Sequence, residues 1–208
     1  MKQIRSKKDL AVRLSRLEGF TNAKVSAEQY PTDSEIASDV VWEGGLLGDF
    51  GKVSVDLGSG TGILGIGVGL LGSGKVFMVE NDKDALEVLG RNVAKECGDE
   101  SECEMEIIAG DIADFSQKVD CVIMNPPFGT RQKHADRNFL VKAFSVADVV
   151  WSFHKTSTLS FVKTLAEDSG FVIERSIDYN FPLKKSMAHH KKKVENVAVT
   201  AFRFVRKK

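Results

Sequence analysis

Leu10, Leu14 and Leu17 recur at i, i+4 and i+7 among charged residues, which predicts an amphipathic helix over residues 7–18 that stops near Gly19. Gln29-Tyr30-Pro31-Thr32 reads as a turn, after which Asp33 or Ser34 can cap a second helix with Glu35 in its first turn. Gly44-Gly45 and Gly48 are expected to loosen the chain there. From Val53 the rhythm changes to strand, loop, helix. Val53–Leu57 is an apolar run of strand length, followed by a glycine-dense loop and a helix. Residues 76–79 form a second strand closing on Glu80, and residues 84–94 a helix with Leu86, Leu89 and Val93 at i, i+3 and i+7. Further strands are predicted at Glu104–Ala109, 119–124 and 149–153, with helices at 139–147 and at 157–167, the latter stopped at Gly170. The last two apolar runs, 171–177 and 194–204, are rich in β-branched and aromatic residues. With no helix between them, they should pair antiparallel.

Strands alternating with helices imply an α/β fold with a mostly parallel, doubly wound sheet, whose ligands bind at the carboxyl ends of the strands. The closing hairpin departs from a pure dinucleotide-binding pattern and predicts a seven-stranded sheet with one antiparallel strand near its edge. A length of 208 residues suits one domain: a helical extension over 1–48 packed on a catalytic core at 49–208.

Composition changes this picture little, with 42% hydrophobic and 28% charged residues, as in ordinary globular proteins. The longest apolar stretch, 63–71, is broken by Gly65, Gly67 and Gly69 and falls short of a membrane span. The polar first eight residues do not resemble a signal peptide, and Cys97, Cys103 and Cys121 lack CxxC spacing. Both features suit reduced thiols and a cytoplasmic protein without a metal site. Charge is more informative. The net charge is zero, yet residues 1–24 carry seven Lys/Arg against two acids and residues 175–208 carry ten against two. Between them twelve Lys/Arg face 25 Asp/Glu, a net charge of −13. Basic ends on an acidic body either meet as one surface for an anionic polymer or are simply solvated tails; charge alone leaves both open. Lys191-Lys192-Lys193 is too short a run to read as a nuclear address.

The loop Asp56-Leu57-Gly58-Ser59-Gly60-Thr61-Gly62 follows a strand and opens a helix. Its glycines permit positive φ and close backbone approach to a ligand. Such a loop alone is a weak signal, because nicotinamide-binding proteins use a near relative. Two acids tilt the balance. Asp56 precedes the first glycine, where it would repel a pyrophosphate but suits a ligand bearing an amino group and a sulfonium. Glu80 closes the next strand, where a carboxylate can accept both hydroxyls of a ribose. After the third strand, Asp111 could accept from an adenine amino group and Ile112 could offer a backbone amide and an apolar face, although an Asp there is by itself more often a helix cap.

Asn125-Pro126-Pro127-Phe128 is the sharpest signal. Proline cannot continue a central strand, so the chain leaves the sheet here in a stiff conformation. An exocyclic amino group is a poor nucleophile because its lone pair is delocalised into the ring. The Asn125 side-chain carbonyl and the Pro126 backbone carbonyl can accept both of its N–H bonds and align the lone pair with a methyl–sulfonium bond. Neither group must titrate and no metal is required. Phe128 offers a face on which a flipped-out base can stack, worth about 1–3 kcal/mol. A rigid turn over a buried Phe is the bland alternative, and it loses weight downstream of the glycine loop and its acids.

These motifs, with Gly129-Thr130, resemble the S-adenosylmethionine-dependent amino-methyltransferase superfamily, a class I Rossmann-like fold. Glu28-Gln29-Tyr30-Pro31-Thr32, His154-Lys155-Thr156-Ser157 and His190-Lys191-Lys192-Lys193 narrow the likeness. Over nearly its whole length the chain is similar to the methyltransferase-like family that modifies one adenosine N6 in small-subunit ribosomal RNA. The resemblance implies that Gln29 and Thr32 close over the methionine part of the cofactor and that Tyr30 borders the substrate pocket. It also implies that Gly58, Thr61, Glu80, Asp111 and Ile112 contact S-adenosylmethionine and that the basic ends flank RNA. His154 and Lys155 are expected near the substrate without a chemical role, and Lys191 to Lys193 on phosphates. A small zinc-binding activator protein is implied at the edge formed by Met105-Glu106-Ile107-Ile108, although Glu100, Glu102 and Glu104 could solubilise that edge unaided. Ser59 and Thr61 stand where some relatives carry cysteines, and Glu80 where several have Asp.

The same tetrad serves other acceptors. A DNA adenine enzyme usually needs a separate region to read base edges, for which 208 residues leave little room. A protein glutamine-amide enzyme needs no basic rim. Guanine N2 in RNA fits the carbonyl pair as well as adenine N6 does. An RNA-binding scaffold without activity would not need Asn125, and a dehydrogenase would have no task for Asn-Pro-Pro-Phe.

Overall fold

A computed structural model describes residues 4–21, 23–24, 29, 31–96, 103–128, 135–184 and 194–207. In chain order the elements are α1 (Lys7–Leu14), α2 (Ser34–Leu46), β1 (Val53–Leu57), α3 (Ile63–Leu70), β2 (Lys75–Glu80), α4 (Lys83–Glu96) and β3 (Glu104–Ala109). They continue with β4 (Cys121–Met124), α5 (Ala135–Val146), β5 (Val149–Lys155), α6 (Leu159–Asp168), β6 (Phe171–Lys184) and β7 (Val194–Arg206). The strands form a seven-stranded sheet ordered β3-β2-β1-β4-β5-β7-β6, parallel from β3 to β5 and antiparallel for β7 and β6. This is the doubly wound class I methyltransferase arrangement with its terminal hairpin. The order reverses at β1, which lies between β2 and β4, so the loops leaving β1 and β4 open a crevice at the carboxyl ends.

Each sheet face buries its own core. On one side Leu10, Leu14, Val40, Val41, Ile66 and Leu89 from α1 to α4 pack on Val76, Met78, Cys121 and Ile123. On the other, Leu140 and Phe144 of α5 and Val162 and Ala166 of α6 pack on Val55, Leu57, Val122, Met124 and Phe204. Alternation along β4 explains the split, since successive side chains point to opposite faces. Among the described residues no helix is long and apolar enough to cross a membrane.

Besides α1, which ends at Leu14 rather than at residue 18, and β4, which starts at Cys121 rather than at residue 119, three further outcomes differ from the sequence pattern. Gly44 and Gly45 lie inside α2 rather than ending it. A Cβ on Gly44 would come within 2.6 Å of the Phe50 ring, and one on Gly45 within 2.8 Å of Leu71, so these glycines serve close packing. Second, β6 runs seven residues beyond the predicted end, because Ile177, Tyr179 and Phe181 continue the alternation past Asp178 and Asn180. Pro182 is tolerated because β6 is an edge strand. Third, β5 reaches Lys155, and α5 starts at Ala135, four residues earlier than its apolar period suggests.

Near the amino end of β1, buried Asp49 accepts hydrogen bonds from Arg203 Nε (2.8 Å) and from the Trp151 indole N–H (2.8 Å). A register shift in β6 between Ile173 and Arg175 lets Glu174 reach the same guanidinium. This network joins the α2–β1 connection to the hairpin, away from the crevice.

Candidate active site

The glycine loop is held from below. Gly58 N–H and Ser59 N–H both donate to Val79 O of β2, and Ser59 Oγ donates to Asp56 O. Gly58, Gly60 and Gly62 have φ of 71°, 55° and 93°, a region in which a side chain would be strained. Glu80, almost buried at the end of β2, accepts from Gly60 N–H (2.7 Å) through one oxygen and from Asn81 and Asp82 N–H through the other. The carboxylate expected to meet a ribose thus also fixes the loop beside it. Thr61 is buried, and Asn92 Nδ2 donates to its carbonyl at 2.8 Å.

Asp56 is fully buried beneath the loop. One carboxylate oxygen accepts from Gly65 N–H (2.8 Å), while Oδ1 has no partner. Burial pushes its pKa up to about 7; the Gly65 bond opposes this and the nearby Glu80 charge adds to it. A desolvated carboxyl with a free oxygen suits a cationic group above the loop, and the donor set therefore fits the expected S-adenosylmethionine. Past β3, Asp111 is exposed and caps a one-turn helix at Ile112–Asp114 by accepting from Ala113 N–H, while Ile112 packs on the core of the α5 face.

Register places Ile123 beside Asp56, so Asn125 leaves β4 next to the glycine loop. Asn125 Nδ2 donates to Thr32 Oγ1 at 3.0 Å, and its Oδ1 is buried without a partner. Pro126 is buried, Pro127 is half-buried, and half-buried Phe128 packs on the core of the α2 and α3 face. Lys155 Nζ lies 6.0 Å from the Phe128 ring centroid, a cation–π distance. His154 is buried against Phe202 on the α5 side, with Nε2 2.7 Å from Ser152 Oγ, and burial holds its pKa down at about 3. It is a neutral ring at any ordinary pH. Gln29 accepts from Lys24 N–H through Oε1 at 2.8 Å. Tyr30, Lys191, Lys192 and Lys193 lie outside the described residues.

Several residues near the crevice carry no sequence signal. Asn92 of α4 is fully buried; it donates to Thr61 O and Glu18 O and accepts from Glu18 N–H, tying the segment after α1 to the glycine loop. A Cβ on Gly60 would come within 2.8 Å of the Phe20 ring, and one on Gly58 within 2.8 Å of Phe139, so aromatic rings border the loop on two sides. Lys24 pairs with Asp82 just past Glu80. An Asn within a helix and a Phe after Gly19 have no periodic signature; these are long-range contacts that only the fold reveals.

Comparison with known proteins agrees with this architecture. Residues 44–198 match the methyltransferase small domain family. The chain is 34% identical to the zebrafish (Danio rerio) rRNA N(6)-adenosine-methyltransferase METTL5 over 206 residues, covering 95% of this chain and 97% of that protein. It is 31% identical to the Drosophila melanogaster Mettl5 protein, covering 92% of each. The crystal structure of a candidate RNA methyltransferase from Pyrococcus horikoshii superposes with a TM-score of 0.87 at 40% identity, covering 97% of this chain and 98% of that one. The chain belongs to the methyltransferase small domain family, with METTL5 proteins among its relatives.

Proposed function

We propose that this member of the methyltransferase small domain family transfers the methyl group of S-adenosylmethionine to N6 of an adenosine in RNA, the acceptor lying in small-subunit ribosomal RNA. The observation that carries the reading is the buried, unpartnered Oδ1 of Asn125 beside the glycine loop. A buried carbonyl without a donor is costly, and an amino N–H from a bound base would satisfy it. The names of the METTL5 relatives support adenosine as the base and ribosomal RNA as the polymer.

In this mechanism Glu80, Asp56, Gly58, Gly60 and Thr61 hold the cofactor, with Asp111 and Ile112 at its adenine and Gln29 and Thr32 near its methionine part. When bound, S-adenosylmethionine supplies an electrophilic methyl group on a sulfonium. Asn125 Oδ1 and the Pro126 carbonyl accept the two N–H bonds of the adenine amino group and aim its lone pair. Phe128 stacks on the base, and Tyr30 borders it. The nitrogen would gain the methyl group as the methyl–sulfur bond breaks to leave a neutral thioether, and would lose one proton to solvent; neither carbonyl titrates. Lys155, over the Phe128 ring, and Lys191, Lys192 and Lys193 bind phosphates. His154 stays neutral and supports the end of β5 from the opposite face.

We further assign the free edge of β3 to a small zinc-binding activator protein, and the cytoplasm as the site of action. β3 is outermost in the sheet and turns Glu104 and Glu106 to solvent, both bridged by Lys75. Incubation with methyl-labelled cofactor and ribosomal RNA, DNA and protein acceptors tests the whole reading. Label in N6-methyladenosine of small-subunit RNA is expected. Label confined to guanosine or to protein would replace it.

A further inference from the structure

A side-chain amide must present its oxygen, not its nitrogen, to accept an N–H bond, and the two ends differ little in shape. Asn125 can rotate about its last torsion and offer either. Its surroundings decide which. In the structure Nδ2 donates to Thr32 Oγ1 at 3.0 Å, leaving Oδ1 free and buried on the other side. Thr32 is itself 8% exposed and is placed by the start of α2, where the Asp33 carboxylate caps Glu35 N–H (2.9 Å) and Ile36 N–H (3.4 Å). The backbone that carries the hydroxyl therefore lies at an anchored helix start.

We propose that Thr32 is a positioning residue for methyl transfer: its hydroxyl accepts the Asn125 amide N–H and so keeps the Asn125 carbonyl turned toward the substrate amino group. A hydroxyl can also donate, so in the free protein the flipped amide would find a partner too. Once an amino group occupies the site, the flipped amide sets its own N–H bonds against those of the substrate. With the amino group bound, the orientation in the structure satisfies both ends of the amide at once, but only while an acceptor stands at residue 32. Without one, presenting the carbonyl strands a half-buried N–H donor, a penalty that falls on the reactive complex. This role is distinct from a contact between Thr32 and the methionine part of the cofactor, and it rests on the reading of Asn125 as the amino-group acceptor.

The test compares Thr32→Val, which keeps the shape and removes the acceptor, with Thr32→Ser, which restores it. Expected for Thr32→Val is a fall in kcat of about 10- to 100-fold that exceeds any loss of cofactor affinity measured by calorimetry, with recovery in Thr32→Ser. Thr32→Ala carries the same comparison should Val prevent folding. A second readout needs no turnover: in NMR spectra the Asn125 side-chain amide protons should shift in Thr32→Val while other Asn amides stay in place. Full kcat in Thr32→Val, an unmoved Asn125 amide, or a cofactor Kd weakened by the same factor as kcat/KM would overturn the assignment. If wild-type protein methylates no adenosine, the functional reading fails instead, and the amide shift still decides whether Thr32 holds Asn125.

Discussion

Two side chains at the crevice illustrate how burial without a partner encodes a ligand. Asn125 holds an unsatisfied acceptor and Asp56 an unsatisfied carboxylate oxygen, each awaiting a donor or a cation. Asn125→Ala should abolish methyl transfer and leave cofactor affinity nearly intact, measured by single-turnover rate and calorimetry; loss of cofactor binding would place Asn125 in the wrong half of the site. Asp56 has a pKa raised to about 7 from 3.8, so between those values the folded state binds a proton that the unfolded chain has released. Stability of the ligand-free protein therefore falls as pH rises from about 4 to 7, by up to about 4 kcal/mol from this group. Asp56→Asn should flatten that dependence in urea unfolding at pH 5 and pH 8. In the wild type, affinity for a cationic cofactor should instead rise through pH 7 as the carboxylate ionises.

At the scale of elements, α3 shows what the glycine-rich stretch is for. It runs between the sheet and the helices α1 and α2, and its glycines face different neighbours. A Cβ on Gly65 would meet Met78 at 2.8 Å and Asp56 Cβ at 3.1 Å, whereas one on Gly67 finds Val41 and Leu14 at ordinary contact distances of 3.4–3.5 Å. Gly65→Ala is thus expected to destabilise and to disturb Asp56, while Gly67→Ala should be neutral or stabilise by up to about 1 kcal/mol through helix propensity. Denaturant midpoints of the two variants would separate packing from propensity. The parallel strands, the glycine loop and Asn125-Pro126-Pro127-Phe128 were legible in the sequence because each has a local signature: an apolar run, positive-φ residues, proline after a strand. The partnership of Asn92 with Thr61 and Glu18, the ring of Phe20 over Gly60 and the bond from Asn125 to Thr32 were not legible, since no periodicity records a contact between distant segments. The far half of β6 was missed for a different reason: its alternation includes Asp178, Asn180 and Pro182, which read as turn residues until β7 is seen to pair with them.

Across the whole molecule the net charge of zero conceals a division of labour between an acidic middle and basic ends. Much of the positive charge near the amino terminus is already paired, Lys7 with Asp39, Arg13 with Glu96 and Lys24 with Asp82. The phosphate-binding charge is therefore expected mainly from Lys155 and Lys191 to Lys193. If so, RNA affinity should fall about 10- to 100-fold between about 50 and 200 mM salt, and replacing Lys191, Lys192 and Lys193 by Ala should reduce the slope by roughly 2 to 3 log units per log unit of salt. An unchanged slope would assign phosphate binding elsewhere.

The hydrogen bond from Asn125 to Thr32 joins residues 93 positions apart, and Asp49 joins Arg203 across 154. Closing such long loops costs more entropy than local contacts do, although the cost grows slowly with separation, so these contacts are expected to form after local ones. Helices and the first βαβ unit can form from neighbours along the chain, but the amide that receives the acceptor base is oriented only after the segment before α2 has docked beside the end of β4. A newly made chain would therefore acquire its shape before its chemistry, and a half-assembled molecule would have no correctly turned carbonyl with which to modify RNA.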